Sequence, residues 1–111
     1  MFNNDKEQLF YDALCEIAEH AGDSFENPLS VSLLCLTLGI TNDEKSSIFI
    51  SWNKILHEND YENLTVDLFK NSLNKIVPNS IDYEQKVVNT LIKAFSKNLI
   101  VELYPFSKTI D

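Results

Sequence analysis

Two glycines and three prolines are all the backbone punctuation that 111 residues contain. All-β domains need turn residues at short intervals, because few residues other than Gly, Pro, Asn and Asp take the required backbone angles cheaply. So sparse a supply favours long uninterrupted elements, and therefore helices. An apolar content of 44%, with 11% aromatic residues, provides a core and argues against a disordered chain. The length fits one domain over residues 1–111, able to bury roughly two thirds of its unfolded surface.

Apolar spacing then predicts the elements. In the first helix Leu9, Phe10, Ala13, Leu14, Ile17, Ala18 and Ala21 recur on one broad face, which is expected to enter the core. Asp5 serves as its cap, Gln8 stands in capping-box position, and Gly22 stops it. A second helix starts with Asn27 as cap and Pro28 in the first turn, and ends at Gly39; its VSLLCL run also fits a buried strand. Thr41 and Glu44 form a capping box for a third, whose Ile48, Phe49, Trp52, Ile55 and Leu56 share one face. A fourth runs through LTVDLFKNSLNKIV to Pro78. The fifth begins near Ser80 or Asp82, with Val87, Val88, Leu91, Ile92, Phe95 and Leu99 inward. The tail LIVELYPF reads either as a continuation of that helix or as a short strand. The expected fold is an all-α, compact bundle of about five amphipathic helices.

Chemistry-bearing patterns are missing. Cys15, His20, Cys35 and His57 are the soft ligands, and none of the paired spacings of zinc sites occurs among them. HEND at residues 57–60 lacks the second histidine of a zinc-protease helix, since Tyr61 stands there. Glu16 and His20 are an ordinary pair one turn apart on a solvated helix face. No glycine-rich phosphate loop, GxSxG elbow or calcium loop is present. The chain is read as a non-enzyme with no cofactor and no metal. MFNNDKEQLF lacks the basic and apolar regions of a secretory leader, and the longest apolar stretch (29–40) is too short for a bilayer. Cys15 and Cys35, set among apolar neighbours, read as buried reduced thiols. The expected location is the cytoplasm.

Charge is the informative signal. The net charge is −8, and residues 1–62 hold twelve carboxylates against three lysines, a local −9. The remainder, with five carboxylates and six lysines, is nearly neutral. All nine basic residues are lysine. Arginine is the preferred fork for phosphates and base edges, so its absence, with the acidity, argues against nucleic acid and anionic membranes as partners. Asp12, Glu16, Glu19 and Asp23 are spaced to lie within roughly 60° of each other on the first helix, away from its apolar face. Like charges one turn apart weaken a helix, so the row is either a plain solvated face or a docking face for a basic partner. Lys86, Lys93 and Lys97 form a second single-sign row, which faces solvent or pairs with the acidic one.

A second acidic group is the segment HENDYEN, residues 57–63, with Glu58, Asp60 and Glu62 around Tyr61. His57 suits the end of the third helix, exposed, where a positive charge is favourable. Asn59 is expected to cap the next helix with Glu62 returning the bond. Tyr61 either packs toward Leu64 and Leu68 or stands out as an interface anchor.

A small, acidic, helical chain without catalytic equipment resembles, as a class, the immunity proteins of bacterial toxin/immunity pairs, contact-dependent growth-inhibition systems among them. No shared motif carries the resemblance. It implies an acidic surface that covers the basic cleft of a toxin nuclease domain, with Asp12, Glu16, Glu19, Asp23, Glu58, Asp60, Tyr61 and Glu62 as the partner-binding candidates. The alternatives are a regulatory or adaptor module docking a basic segment, and an enzyme of unfamiliar type.

Overall fold

Helix boundaries follow local signals wherever those signals are unopposed. The structure, a computed structural model, describes residues 4–110; the first three residues of MFNNDKEQLF and Asp111 lie outside them. Six α-helices are formed: α1 (Asp5–His20), α2 (Val31–Leu38), α3 (Asn42–Glu58), α4 (Val66–Ile76), α5 (Gln85–Asn98) and the single turn α6 (Tyr104–Ser107). Short 3-10 turns cover Tyr61–Asn63, Pro78–Asp82 and Val101–Leu103, and no strand occurs among the described residues. The chain is all-α, and the strand alternatives for α2 and the tail do not hold.

The capping box of α3 forms as expected. The Thr41 hydroxyl accepts from the Glu44 N–H at 3.1 Å, and the Glu44 carboxylate accepts from the Thr41 N–H at 2.9 Å. Thr41→Ala is expected to cost about 1 kcal/mol in urea unfolding, the usual value of a lost cap. Gly39 ends α2 at φ 76°, the left-handed region that glycine enters without strain, so the Ile40 N–H can return to the Cys35 carbonyl at 2.8 Å. Gly22, at φ 101°, performs the same service after α1.

Other ends differ from expectation for nameable reasons. Asn4, not Asp5, caps α1, its side chain accepting from the Glu7 N–H at 2.8 Å. Asn27 does not start α2: its side-chain oxygen accepts from Lys97 Nζ on α5, and Ser30 caps instead. Ser80 does not start α5, because its buried hydroxyl donates to Asn74 Oδ1 at 2.6 Å across the 3-10 turn. Asn59 does not cap a new helix. It ends α3, and its amide reaches back to the Ile55 carbonyl at 2.9 Å, while Thr65 caps α4.

The core is built around α5. Its residues Val88, Asn89, Thr90, Leu91, Ile92, Ala94, Phe95 and Ser96 are all buried, so this helix is enclosed nearly all round rather than on one stripe. Helices α2, α4 and α6 pack on it, while α3 pairs with α4 and touches α2. Trp52 of α3 is fully buried between Phe69 of α4 (centroids 5.4 Å apart, 80° between planes) and Phe95 of α5 (5.0 Å). Phe106 of α6 completes the aromatic cluster against Phe69. The tail turns back because Ile100, Leu103 and Phe106 are buried against the body, which a straight extension of α5 would prevent. Leu99 and Phe49, expected inside, are 42% and 36% exposed.

The largest departure is α1. None of its residues is buried, and Leu9, Phe10, Leu14 and Ile17 are between 51% and 67% exposed. It leans on the body along Tyr11, Cys15 and Ala18, which are half-buried and share the opposite side of the helix from Leu9 and Ala13. The molecule is accordingly drawn out, 46 × 28 × 22 Å.

Candidate functional site

The surface of interest is assembled on α1. Helical geometry gives this element three sides. One rests on α2, where Tyr11 and Thr37 share a hydroxyl hydrogen bond of 2.5 Å. Thr37 commits its own proton to the Leu33 carbonyl at 3.0 Å, so Tyr11 is the donor. A second side carries Asp12, Glu16 and Glu19, all exposed. The Asp12 carboxylate accepts from the Gln8 side chain at 2.9 Å, which fixes the start of the row. Glu16 and Glu19 border a shallow hollow with His20 on the flank of the helix. The third side is the apolar one expected to enter the core.

Asp23 leaves this row. It lies past the end of α1, half-buried, and its carboxylate accepts from the Leu29 N–H at 2.7 Å. That bond shapes the loop into α2, so Asp23 is a structural residue rather than the fourth member of a stripe. The row of Lys86, Lys93 and Lys97 does not meet the acidic one either. Lys93 and Lys97 face Glu26 and Lys108 across a separate hollow, with Lys97 bonded to Asn27.

The HENDYEN group stands apart, with no hydrogen bond to α1 among the described residues. His57 is exposed on the last turn of α3, its Nδ1 2.8 Å from the Asn53 carbonyl. A carbonyl only accepts, so Nδ1 carries the proton. Glu58 borders a broad hollow of about 600 Å³ between α3 and α4, which Lys54 and Lys75 also line. Asp60, Tyr61 and Glu62 are exposed, and Tyr61, 50% accessible, faces outward. The open question about its ring is thereby answered.

Sequence reasoning missed the apolar component. Leu14, Ile17 and Ala18 of α1 and Leu33 and Leu36 of α2 line a groove of about 380 Å³. Helical periodicity marks this face and the buried ones alike, so the spacing of its residues alone gave no sign that it stays uncovered.

The thiols are separate and free. Cys35 is buried, and loss of hydration there pushes its pKa up to about 11, whereas Cys15 is half-buried, not buried as expected. At pH 7 roughly one Cys35 in ten thousand is thiolate. Iodoacetamide is therefore expected to label Cys15 in the native protein and to reach Cys35 only on unfolding, as peptide mapping would show. Among the described residues, no group of three or more His, Cys, Asp or Glu is placed to hold a metal ion, and no helix is long and apolar enough to cross a membrane. No known protein family, curated protein or solved structure matches this chain.

Proposed function

We propose that this protein neutralises a basic protein partner by covering its working cleft, as immunity proteins do, the partner being a toxin nuclease domain met in the cytoplasm. One observation carries the reading: α1 is held outside the core with the carboxylates of Asp12, Glu16 and Glu19 all turned to solvent. An exposed acidic helix can lie where a nuclease would take the phosphate backbone of its substrate, and so exclude it. Opposite charge steers the encounter and raises the association rate. Asp60, Tyr61 and Glu62 form a second acidic contact area with an aromatic anchor. Asp23 is spent on its loop and is not assigned to the interface, whereas Glu58, exposed at the end of α3, stays with the second area.

The experiment is titration of the nuclease domain encoded beside this gene with the purified chain, following cleavage and binding together. One-to-one binding that abolishes cleavage, with an association rate that falls steeply between about 0.05 and 0.5 M salt, supports the reading. Absence of such a nuclease, binding without inhibition, or indifference to salt overturns it.

A further inference from the structure

Three of the nine lysines meet in one place. Lys93 and Lys97, one turn apart on α5, and Lys108, which follows α6, line a hollow of about 460 Å³. Among the described residues that line it Glu26 is the one carboxylate, so three ammonium groups against one leave the hollow at +2. The chain as a whole stands at −8, which makes this hollow its exception. Its volume falls in the range of small-molecule sites, roughly 300–1,000 Å³.

Two of the ammonium groups are tethered. Lys97 donates to Asn27 Oδ1 on the loop before α2, and Lys108 Nζ lies over the Tyr104 ring, 5.1 Å from its centroid. An ammonium has three donors, so both keep N–H groups to offer. Side chains already held in place lose less freedom when a ligand arrives. The buried part of the lining is polar too. Ser96 and Ser107 are 4% and 6% exposed. Ser96 Oγ donates to the Lys93 carbonyl at 2.8 Å, and Ser107 Oγ to the Tyr104 carbonyl at 2.6 Å. With their protons committed, these two oxygens can only accept. They suit ligand hydroxyls, not bare phosphate oxygens.

We infer that the hollow between α5, α6 and the loop at Asn27 binds the phosphate monoester of a small hydroxylated molecule. Such a phosphate carries about −1.5 to −2 near neutral pH, which matches the charge of the hollow. Lysine meets phosphate as a point charge, without arginine's fork. The phosphate sits among Lys93, Lys97 and Lys108, and ligand hydroxyls donate to Ser96 and Ser107. A duplex or an anionic membrane would also meet the carboxylates of the surrounding surface and be repelled, whereas a small ligand meets the hollow alone. The inference does not rest on the neutralisation reading, and either can fail without the other.

The probe is glucose 6-phosphate, with glucose and hexyl phosphate as the twins that lack the charge and the hydroxyls. Binding to the full chain is followed through amide shifts in nuclear magnetic resonance at about 0.05 M salt, where exposed charges are only partly screened. Saturable one-to-one binding is expected, with the largest shifts at Lys93, Ser96, Lys97, Ser107 and Lys108. Lys93→Gln, Lys97→Gln and Lys108→Gln should each weaken it by about fivefold or more, the worth of one hydrogen bond to a charged group at a wet site. Lys86→Gln, on the same helix but outside the hollow, should change it by less than about twofold. Glu26→Gln should tighten binding, while Glu62→Gln, an equal change in net charge elsewhere, should not. Hexyl phosphate should bind about fivefold more weakly for want of the hydroxyl bonds, and glucose more weakly still.

No saturation by about 20 mM, or shifts centred outside the hollow, overturns the inference. So does weakening by Lys86→Gln as large as that by Lys97→Gln, which would reduce the effect to total charge. Hexyl phosphate binding as tightly as glucose 6-phosphate overturns the hydroxylated class. Asp111, next after Ile110 in the chain, brings a further carboxylate, and Asp111→Asn should change affinity by less than about twofold. A larger gain would give the hollow to the chain's own carboxylate and overturn the inference.

Discussion

Trp52→Ala is expected to lower the stability of the fold by about 3–5 kcal/mol, the usual cost of deleting a large buried aromatic ring. Against the 5–15 kcal/mol that holds a typical domain together, such a loss brings the chain close to unfolding at ambient temperature. Three contributions combine. The ring is wholly buried, so its transfer free energy is lost and a cavity remains. It contacts Phe69 edge-on and Phe95 at a tilt, which ties α3 to both α4 and α5. Its Nε1–H donates to the Phe69 carbonyl at 3.2 Å, a bond with no replacement in the variant. Urea unfolding followed by circular dichroism measures the effect. A loss under about 1 kcal/mol would mean that the aromatic cluster does not organise the core. Phe10→Ala provides the contrast: it removes a comparable side chain from α1, where 62% exposure predicts a change within about 0.5 kcal/mol.

Reversing Asp12, Glu16 and Glu19 together to lysine should slow association with a basic partner by about 10- to 100-fold at low salt, with the difference closing above about 0.5 M. The fold should be indifferent. All three side chains are exposed, and the like-charge spacing of Asp12 and Glu16 persists with its sign reversed. Glu16 and Glu19 lie toward the C-terminal end of α1, where the helix dipole prefers positive charge, so helical circular dichroism should not fall. The substitutions move the net charge from −8 to −2, as does a control variant with Asp82, Glu84 and Glu102 reversed. Those residues are also exposed but belong to other elements: the 3-10 turns Pro78–Asp82 and Val101–Leu103 and the start of α5. Stopped-flow mixing of both variants separates a local effect from a global one. Equal slowing by the control would show that total charge, rather than the α1 row, governs the encounter.

The features that were legible in the sequence share one property: each depends on residues within a turn of one another. The Thr41–Glu44 capping box, the Gly39 stop and the helical nature of all the long elements are of this kind. The exposed position of His57 and the burial of Trp52 followed from helical spacing in α3. The acidic row on α1 was likewise legible up to Glu19. It failed at Asp23, because the helix ends before that residue and a backbone N–H six positions later claims its carboxylate.

The features that were misread turn on partners distant in the chain. Asn27 and Ser80 look like caps from their neighbours alone, yet Lys97 and Asn74 hold their side chains elsewhere. Helix periodicity marks an apolar face on α1 and on α3 with equal clarity, but it cannot say which face finds a partner. Local spacing therefore determined that this protein is helical, where most of its helices lie, and that α1 carries its charge on one side. The tertiary structure alone decided that α5 is enclosed by α2, α4 and α6, and that α1 remains outside with Leu14 and Ile17 uncovered. The reason is physical: a core of this size closes once one central helix is surrounded, and the competition for that position is settled by packing between residues far apart in the chain.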